Sequence, residues 1–132
     1  MQLLKEFWLR VWNPPYDLTA VDELLTDDFI LSNPGGEITG KPAFKAWLSD
    51  FHKKLGDSRL MPAETFASAD GRRVVSRWSA SGTNHGLLGT ADDGKLVEFT
   101  GTAVWEVRDG KLSRNWVQRS AWELHRTLTG KP

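Results

Sequence analysis

The hydrophobic period of the chain changes at Gly56-Asp57, and this change limits the fold more than any other feature of the sequence. Three segments before it carry apolar residues every three or four positions, as amphipathic helices do: residues 3–12, 18–25 and 41–55. Four segments after it have the character of strands: residues 59–68, 72–81, 96–108 and 111–122. Helices kept apart from consecutive strands predict an α+β domain, in which the helices pack against one curved antiparallel sheet.

Turn signals connect these elements in a simple order. A short strand is predicted at 28–32 and is stopped by Asn33-Pro-Gly-Gly. Asp17 or Thr19 is placed to cap the second helix. The later strands are separated by Asp-Gly pairs, which are typical of hairpins: Asp70-Gly71, Asp93-Gly94 and Asp109-Gly110. The predicted order is helix, helix, short strand, helix and four strands in a meander, and helical spacing returns only in the last dozen residues.

Length and charge indicate one ordinary globular domain. The chain has 132 residues, 39% of them hydrophobic, and its 17 basic residues balance its 17 acidic ones. We place the domain at residues 1–128, with a frayed tail at 129–132. There is no basic run of the kind that binds nucleic acid, no signal-peptide pattern and no apolar run long enough for a membrane span. We therefore expect a cytoplasmic protein without nucleic-acid or membrane partners.

The absence of cysteine removes several classes of chemistry. Without a thiol in the chain, a disulfide framework, a thiolate nucleophile and a zinc–thiolate site are excluded. The three histidines, His52, His85 and His125, have no second metal ligand three or four positions away, so a local metal motif is missing as well. We expect neither a metal nor another cofactor.

Small residues interrupt the apolar face of the strand at 96–108. Gly101 and Ala103 lie on that face between Phe99 and Trp105. Small side chains between large rings predict a hollow. The alternatives are that a bulky side chain from a helix fills the space or that Gly101 marks a bulge.

The register of the last hairpin decides which residues face that hollow. A two-residue turn at Asp109-Gly110 directs Trp116 and Gln118 inward, whereas a longer turn directs Asn115 and Val117 inward. The sequence leaves both registers open.

Tryptophan is unusually abundant, with seven residues in the chain. Large rings either build the core or line a cavity for a flat apolar ligand. Six aromatic residues are the candidates for contact with such a ligand: Trp47, Phe51, Trp78, Phe99, Trp105 and Trp116.

Three polar residues are the candidates for catalysis. His85 follows a predicted strand, and an ordinary histidine exchanges a proton near neutral pH. Asn33 and Gln118 can polarise a carbonyl group by hydrogen bonding. No carboxylate falls on an inward strand position without ambiguity, so His85 is the candidate for proton exchange.

Short motifs spread over about residues 5–125 resemble the SnoaL-like polyketide cyclases, which belong to the nuclear transport factor 2-like superfamily. The motifs stand in the family's order: Leu24-Leu-Thr-Asp-Asp-Phe29, Asn33-Pro-Gly-Gly with Gly40-Lys-Pro-Ala-Phe-Lys-Ala-Trp47, Arg77-Trp-Ser-Ala-Ser-Gly-Thr83, Val97-Glu-Phe-Thr-Gly101 and Val107-Arg-Asp-Gly-Lys-Leu-Ser-Arg-Asn-Trp116. The resemblance implies a cone of helices and one strongly bent antiparallel sheet around an apolar pocket, often with dimerisation through the outer face of the sheet.

The resemblance also implies a reaction, and the chain departs from the pattern that carries it. SnoaL-like cyclases close a ring by a cofactor-free intramolecular aldol reaction, with an aspartate near the tryptophan of a Glu-His-Trp-Asp-like stretch as the acid–base group. The matching stretch here, Arg114-Asn-Trp-Val117, contains no acid. Asn33 and Trp116 correspond to family-like positions, and His85 stands one place after the family's histidine.

Two functional hypotheses follow. The first is a cofactor-independent cyclase, isomerase or lyase, expected to be a homodimer, that acts on a hydrophobic polyketide- or terpenoid-like small molecule. The alternative is a non-catalytic ligand-binding or dimerisation module of the same fold, which the missing acid favours.

Overall fold

A computed structural model describes residues 2–130 and contains four α-helices and six strands. In chain order these are α1 Gln2–Val11, α2 Thr19–Leu24, β1 Leu25–Asn33, β2 Gly36–Thr39, α3 Lys41–Lys54, β3 Leu55–Ala67, β4 Arg73–Asn84, β5 Leu96–Arg108, β6 Lys111–Arg119 and α4 Ala121–Thr129. One turn of 3-10 helix, Leu87–Gly89, interrupts the β4–β5 connection. The α+β class predicted from the change of period is confirmed.

The six strands form one sheet in the order β2-β1-β6-β5-β4-β3, and the sheet curls without closing. Every neighbouring pair is antiparallel except β1 and β6, which run parallel. The sheet is therefore mixed and not wholly antiparallel as predicted. The direction of β1 follows from its pairing with a strand about 80 residues away, and local periodicity carries no information about such a partner.

The helices cover one face of the curled sheet and form the core with it. In α1 the buried residues Leu4, Phe7, Trp8 and Val11 are the predicted apolar stripe. In the sheet, Phe99, Ala103 and Trp105 of β5 and Val74, Trp78 and Ala80 of β4 are buried, as their alternation predicted. Leu18 directly precedes α2 and makes no side-chain cap bond, but Oδ1 of Asp17 accepts the backbone N–H of Thr19, the first helical residue, at 2.9 Å.

The structure differs from the prediction at the end of β1 and at the C-terminal helix. The turn Asn33-Pro-Gly-Gly ends β1 and joins it to the strand β2, which was not predicted. Asn33 pairs with Gly36, and Gly35 in the turn has a φ of 91°. At the other end, α4 extends through Thr129, whose Oγ1 donates to the carbonyl of His125 at 2.8 Å. Of the tail predicted at 129–132, Thr129 is the last residue of α4, and residues 131–132 lie outside the described residues.

The last hairpin combines the predicted turn with an unpredicted bulge. Asp109 and Gly110 have φ values of 53° and 73°, as a two-residue hairpin turn requires. The register then shifts, because Val107 pairs with Leu112 whereas Glu106 pairs with Arg114. The extra residue is Ser113, whose Oγ donates to the carbonyl oxygen and to Oε1 of Glu106 at 3.1 and 2.8 Å.

This bulge reverses the side chains of β6 relative to the simple two-residue register. Asn115 and Val117 are buried, whereas Gln118 is exposed. Trp116 lies on the outer face under the guanidinium groups of Arg114 and Arg73, at 4.7 and 5.4 Å from its ring. The inward placement of Trp116 and Gln118 that a simple two-residue turn predicts is therefore wrong, because a bulge adds one residue without lengthening the turn.

The space over Gly101 is filled by a side chain from the neighbouring strand. Gly101 pairs with Trp78 of β4, and a Cβ atom built on Gly101 would lie 2.2 Å from Cζ2 of Trp78. The glycine is needed because the indole lies flat over its backbone. The filling group comes from the sheet and not from a helix, and the remaining cavity is displaced toward β3 and β6.

Among residues 2–130, no helix combines the length and the apolar character that crossing a membrane requires.

Candidate functional site

Two adjoining cavities lie on the helical side of the sheet. The inner cavity, of about 30 Å³, is enclosed by α1, α3 and strands β3 to β6. The outer cleft, of about 440 Å³, lies between the end of β1, α3 and the 3-10 turn Leu87–Gly89. Phe51 and Arg119 line both. The inner volume has room for about one hydroxyl or carbonyl group, whereas the outer volume is in the range that small-molecule sites occupy.

Most of the predicted aromatic residues line these two cavities. Phe51, Trp78, Phe99 and Trp105 contribute to the inner wall, and Trp47 lies with Phe51 along the outer cleft. Trp47 and Phe51 stack with ring centroids 5.4 Å apart. Trp116 lines neither cavity, because the bulge in β6 places it on the outer face.

Two further tryptophans belong to the inner wall and were absent from the predicted set. Trp8 of α1 and Trp12, just beyond its end, both line the inner cavity. Trp12 makes edge-to-face contacts with Trp47 and Phe51, at 6.1 and 5.5 Å between centroids. Both residues lie on the predicted apolar stripe of α1, but that stripe alone does not distinguish a core contact from a cavity wall.

Arg119 is the charged group between the two cavities. Its Nη1 donates to Oδ1 of Asn33 at 2.7 Å, and its guanidinium lies 5.5 Å from the ring centre of Trp47. Within residues 2–130 it forms no ion pair with a carboxylate. Burial lowers the pKa of Arg119 to about 10, so the side chain stays protonated at neutral pH. The site thus holds a desolvated positive charge whose direct partner is a neutral amide.

Two buried residues that line the inner cavity each carry a polar atom without a partner within residues 2–130. Trp105 and Asn115 are directly opposite each other on β5 and β6 and are 2% and 8% exposed. Nε1 of Trp105 and Oδ1 of Asn115 have no hydrogen-bond partner among the described residues. A buried donor or acceptor without a partner costs roughly 1–3 kcal/mol. One donor and one acceptor together suit a ligand hydroxyl or carbonyl group.

A hydroxyl–imidazole pair borders the inner cavity on the side of α3 and β3. Ser58 lines the cavity and is 2% exposed. Its Oγ lies 3.0 Å from Nδ1 of His52, and Nε2 of His52 lies 3.3 Å from the carbonyl oxygen of Val11. The hydroxyl of Tyr16 donates to the Ser58 carbonyl at 2.6 Å. Burial lowers the pKa of His52 below its ordinary value, and the hydrogen bond to Val11 opposes this in part.

The three predicted polar residues lie in different places. Asn33 reaches the outer cleft and holds Arg119. Gln118 is exposed beyond both cavities. His85 lies on the β4–β5 connection with its side chain 41% exposed, and its Nδ1 is 2.7 Å from Oδ1 of Asp92. His85 lines neither cavity, so the structure brings Asn33 to the site and leaves His85 and Gln118 outside it.

The polar residues that the sequence analysis missed depend on irregular strand geometry. Ser58 lies in a bulge of β3, between the pairs Gly56–Thr83 and Arg59–Ser81 and just before the strand predicted at 59–68, and its neighbour Asp57 has φ 49°. Arg119 and Asn115 face inward through the shift at Ser113. His52 follows directly on the apolar stripe of α3, a signal too weak to separate it from an ordinary surface histidine. Strict alternation therefore misassigns these positions.

No group of three or more His, Cys, Asp or Glu side chains that could hold a metal ion occurs within residues 2–130. The ionisable side chains on the inner wall are Arg59 and Arg119. The inner cavity is thus apolar with a positively charged boundary, and the carboxylate of Asp50 lines the adjoining outer cleft.

Comparison with protein families gives one match that covers most of the chain. Residues 6–115 match the model of the SnoaL-like domain. No curated protein matches the chain at a significant level of sequence similarity.

Solved structures share the whole architecture at low sequence identity. A candidate SnoaL-like polyketide cyclase from Jannaschia sp. CCS1 has a TM-score of 0.88 and 13% identity, covering 99% of this chain and 92% of its own. TsrD from Streptomyces laurentii has a TM-score of 0.83 and 23% identity, covering 96% and 92%. A nuclear transport factor 2-like protein of unknown function from Burkholderia pseudomallei has a TM-score of 0.81 and 20% identity, covering 98% and 96%. At these identities the similarity establishes the fold alone.

Proposed function

The chain belongs to the SnoaL-like domain family, and from this premise we propose that it binds a ring-containing apolar molecule through an anionic or enolisable oxygen and promotes a cofactor-independent cyclisation or isomerisation. The substrate class is that of polyketide- or terpenoid-like compounds. The ring system occupies the outer cleft against Trp47 and Phe51, and its oxygen-bearing edge points to the inner cavity.

The observation that carries this proposal is the position of Arg119. A partly buried guanidinium without a carboxylate partner is disfavoured, because desolvation acts against its charge and a neutral amide compensates only in part. An anionic ligand oxygen restores a charge-assisted hydrogen bond at this point. Because Arg119 lines both cavities, it can hold such an oxygen while the apolar body stays in the outer cleft.

The same arrangement supports turnover. Ring closure and isomerisation next to a carbonyl group pass through an enolate, whose negative charge forms on the carbonyl oxygen. A guanidinium held in place at the site stabilises that charge more than it stabilises the neutral ketone, which is the condition for catalysis. The Nε1–H of Trp105 is a second donor on the same wall.

A tryptophan-fluorescence titration with paired ligands tests the binding part of the proposal. We expect 2-naphthoate to quench the protein saturably and Arg119→Met to weaken its binding by about tenfold or more, since hydrogen bonds to charged groups contribute roughly 1.5–3 kcal/mol. The same substitution should leave 2-methylnaphthalene binding within about twofold, because this ligand has no oxygen.

Arg126→Met is the matched control, because Arg126 is exposed on α4 and lies outside both cavities. If Arg119→Met loses the same affinity for 2-naphthoate and for 2-methylnaphthalene, Arg119 acts through the shape of the site and not through its charge. Absence of saturable quenching by either ligand would contradict a ligand-binding function for these cavities.

Binding without turnover is the second candidate function. It is favoured by the lack of a carboxylate on the inner wall, since acid–base chemistry in such pockets commonly uses one. Saturable binding of polyketide-like ketones, together with no turnover of any of them, would support this alternative.

A further inference from the structure

Ser58 lies at the wall of the inner cavity, next to an irregularity in β3. The bulge at Asp57 and Ser58 adds one residue to β3 relative to β4, and Ser58 is buried two residues before the buried Leu60. Bulges are common next to functional sites. With 2% exposure, the hydroxyl of Ser58 must find its partner inside the protein.

The hydrogen bonds around His52 define which of its nitrogens is free to accept a proton. The carbonyl of Val11 can only accept, so Nε2 of His52, at 3.3 Å from it, carries the hydrogen. Nδ1 of the neutral ring then has a free lone pair, and it lies 3.0 Å from Oγ of Ser58. The Ser58 hydroxyl therefore donates to His52, whose Nδ1 is nearer to it than the other acceptor within reach, the Tyr16 hydroxyl oxygen at 3.5 Å. This is the geometry of a hydroxyl group and its base.

The surroundings keep His52 in the neutral form that this role needs. The ring lies among Trp12, Tyr16 and Phe51, with centroids 5.5, 4.3 and 6.4 Å away. Burial lowers its pKa, so the neutral ring predominates at pH 7. Tyr16 is fixed in turn, because its hydroxyl donates to the Ser58 carbonyl at 2.6 Å.

We propose that Ser58 and His52 are the proton-transfer pair of the cavity, with Ser58 the catalytic residue that touches the substrate and His52 the positioning residue that receives the proton through it. This inference rests on the proposed function, because it requires a ligand whose oxygen is held at Arg119. It supplies an acid–base group on the inner wall, where no carboxylate lies among the lining residues.

The step balances without an added reagent. The C–H bond next to the bound carbonyl breaks, and its electron pair forms the carbon–carbon double bond of the enolate, with the negative charge on the oxygen at Arg119. The proton goes to Oγ of Ser58 as the hydroxyl proton of Ser58 moves to Nδ1 of His52. Return of the proton to another carbon completes an isomerisation, and attack of the enolate on a second carbonyl closes a ring.

Hydrogen–deuterium exchange of 2-tetralone, an apolar two-ring ketone with acidic protons, tests this pair without knowledge of the natural substrate. We expect the protein in D2O to accelerate exchange at saturating ketone, as followed by proton NMR. Ser58→Ala and His52→Gln should each lower the saturated rate by about tenfold or more, as the loss of general acid–base catalysis does. The dissociation constant from tryptophan quenching should change by less than about twofold.

His125→Gln is the matched control, because it makes the same substitution on α4, outside both cavities. An exchange rate that stays at the level of the unaltered protein in Ser58→Ala or His52→Gln overturns the pair. A larger loss of exchange rate in His85→Gln than in His52→Gln overturns it as well. In those cases normal quenching by 2-tetralone leaves the proposed binding function standing. Absence of quenching in the unaltered protein contradicts the proposed function and the pair together.

A nitrogen-15 NMR measurement on the unaltered protein keeps the inference testable if a variant fails to fold. We expect the neutral ring of His52 to carry its hydrogen on Nε2 at pH 7. A ring protonated on Nδ1 could not accept the hydroxyl proton of Ser58, and that result would overturn the pair.

Discussion

At the scale of single residues, the interior is shaped by close contacts that leave little freedom for substitution. Trp78 lies over Gly101 on the adjacent strand, so the smallest residue of β5 is paired with the largest side chain type. A hollow predicted from small residues is therefore filled locally. The cavity remains at the neighbouring positions Ala103, Asn115 and Val117.

Gly101→Ala is expected to destabilise the protein by about 1–3 kcal/mol, because the new Cβ atom would lie 2.2 Å from the Trp78 ring and force it to move. Gly36→Ala is the matched control, since nothing lies within 4 Å of its Cβ position and its φ is not in the left-handed region. Urea denaturation of both variants measures the difference. Equal stability of the two would show that the indole has room to shift.

His52 predicts a pH dependence of stability. Because burial lowers its pKa in the folded protein relative to about 6.5 in the unfolded chain, the unfolded state binds more protons in this range. The free energy of unfolding should therefore fall as the pH drops from 7.5 to 5. We expect a smaller fall in His52→Gln than in the unaltered protein. Denaturation curves at the two pH values measure this, and identical slopes with pH in both proteins would contradict it.

At the scale of elements, two bulges lie next to side chains of the site. The bulge in β3 lies beside Ser58 at the cavity wall, and the bulge at Ser113 in β6 turns Asn115 and Arg119 inward. Without the second bulge, Trp116 would face the core and Arg119 the solvent. The strands are thus regular enough to build the sheet and irregular where the candidate site is formed.

Ser113→Ala is expected to lower the free energy of unfolding by about 1–2 kcal/mol, since the buried hydroxyl forms two hydrogen bonds to Glu106 that fix the bulge. Ser79→Ala on β4 serves for comparison, because the Ser79 hydroxyl has no hydrogen bond with any part of the chain that the structure describes. Chemical denaturation gives both values. A cost for Ser113→Ala no larger than that for Ser79→Ala would mean that the backbone alone holds the bulge.

At the scale of the whole molecule, the site lies where three separate parts of the chain meet. α3 provides Phe51 and His52, β6 provides Asn115 and Arg119, and the end of β1 provides Asn33. The bond from Arg119 to Asn33 joins residues 86 positions apart. Folding of the complete sheet is therefore required before the positive charge and its amide partner meet.

Phe51→Ala should change which ligands the molecule accepts, because Phe51 separates the inner cavity from the outer cleft. Truncation joins the two spaces, so we expect 2-anthroate, with three fused rings, to gain affinity relative to 2-naphthoate. Phe66→Ala is the matched control, since Phe66 is 58% exposed on β3 and lines neither space. Fluorescence titrations with both ligands measure the ratio, and an unchanged ratio in Phe51→Ala would show that Phe51 is not the barrier.

The sequence by itself determined the α+β class, the helices α1 to α3, the inward face of β5 and most of the aromatic wall. These features depend on the spacing of apolar residues along the chain. Regular spacing places these residues on one face of a helix or strand, where their burial stabilises the fold. The turn at Asp109-Gly110 was also predictable, because it rests on the chemistry of neighbouring residues.

Only the tertiary structure decided the parallel pairing of β1 with β6, the side of β6 that faces inward, and the group of Arg119, Asn33, Ser58 and His52 around the cavities. A bulge moves every following side chain of the strand to the opposite face of the sheet at little local cost. Strict alternation of inward and outward residues does not predict that change. The contacts that assemble the site join residues far apart in the chain. Their formation depends on how the sheet curls under the helices, which no short segment of the sequence encodes.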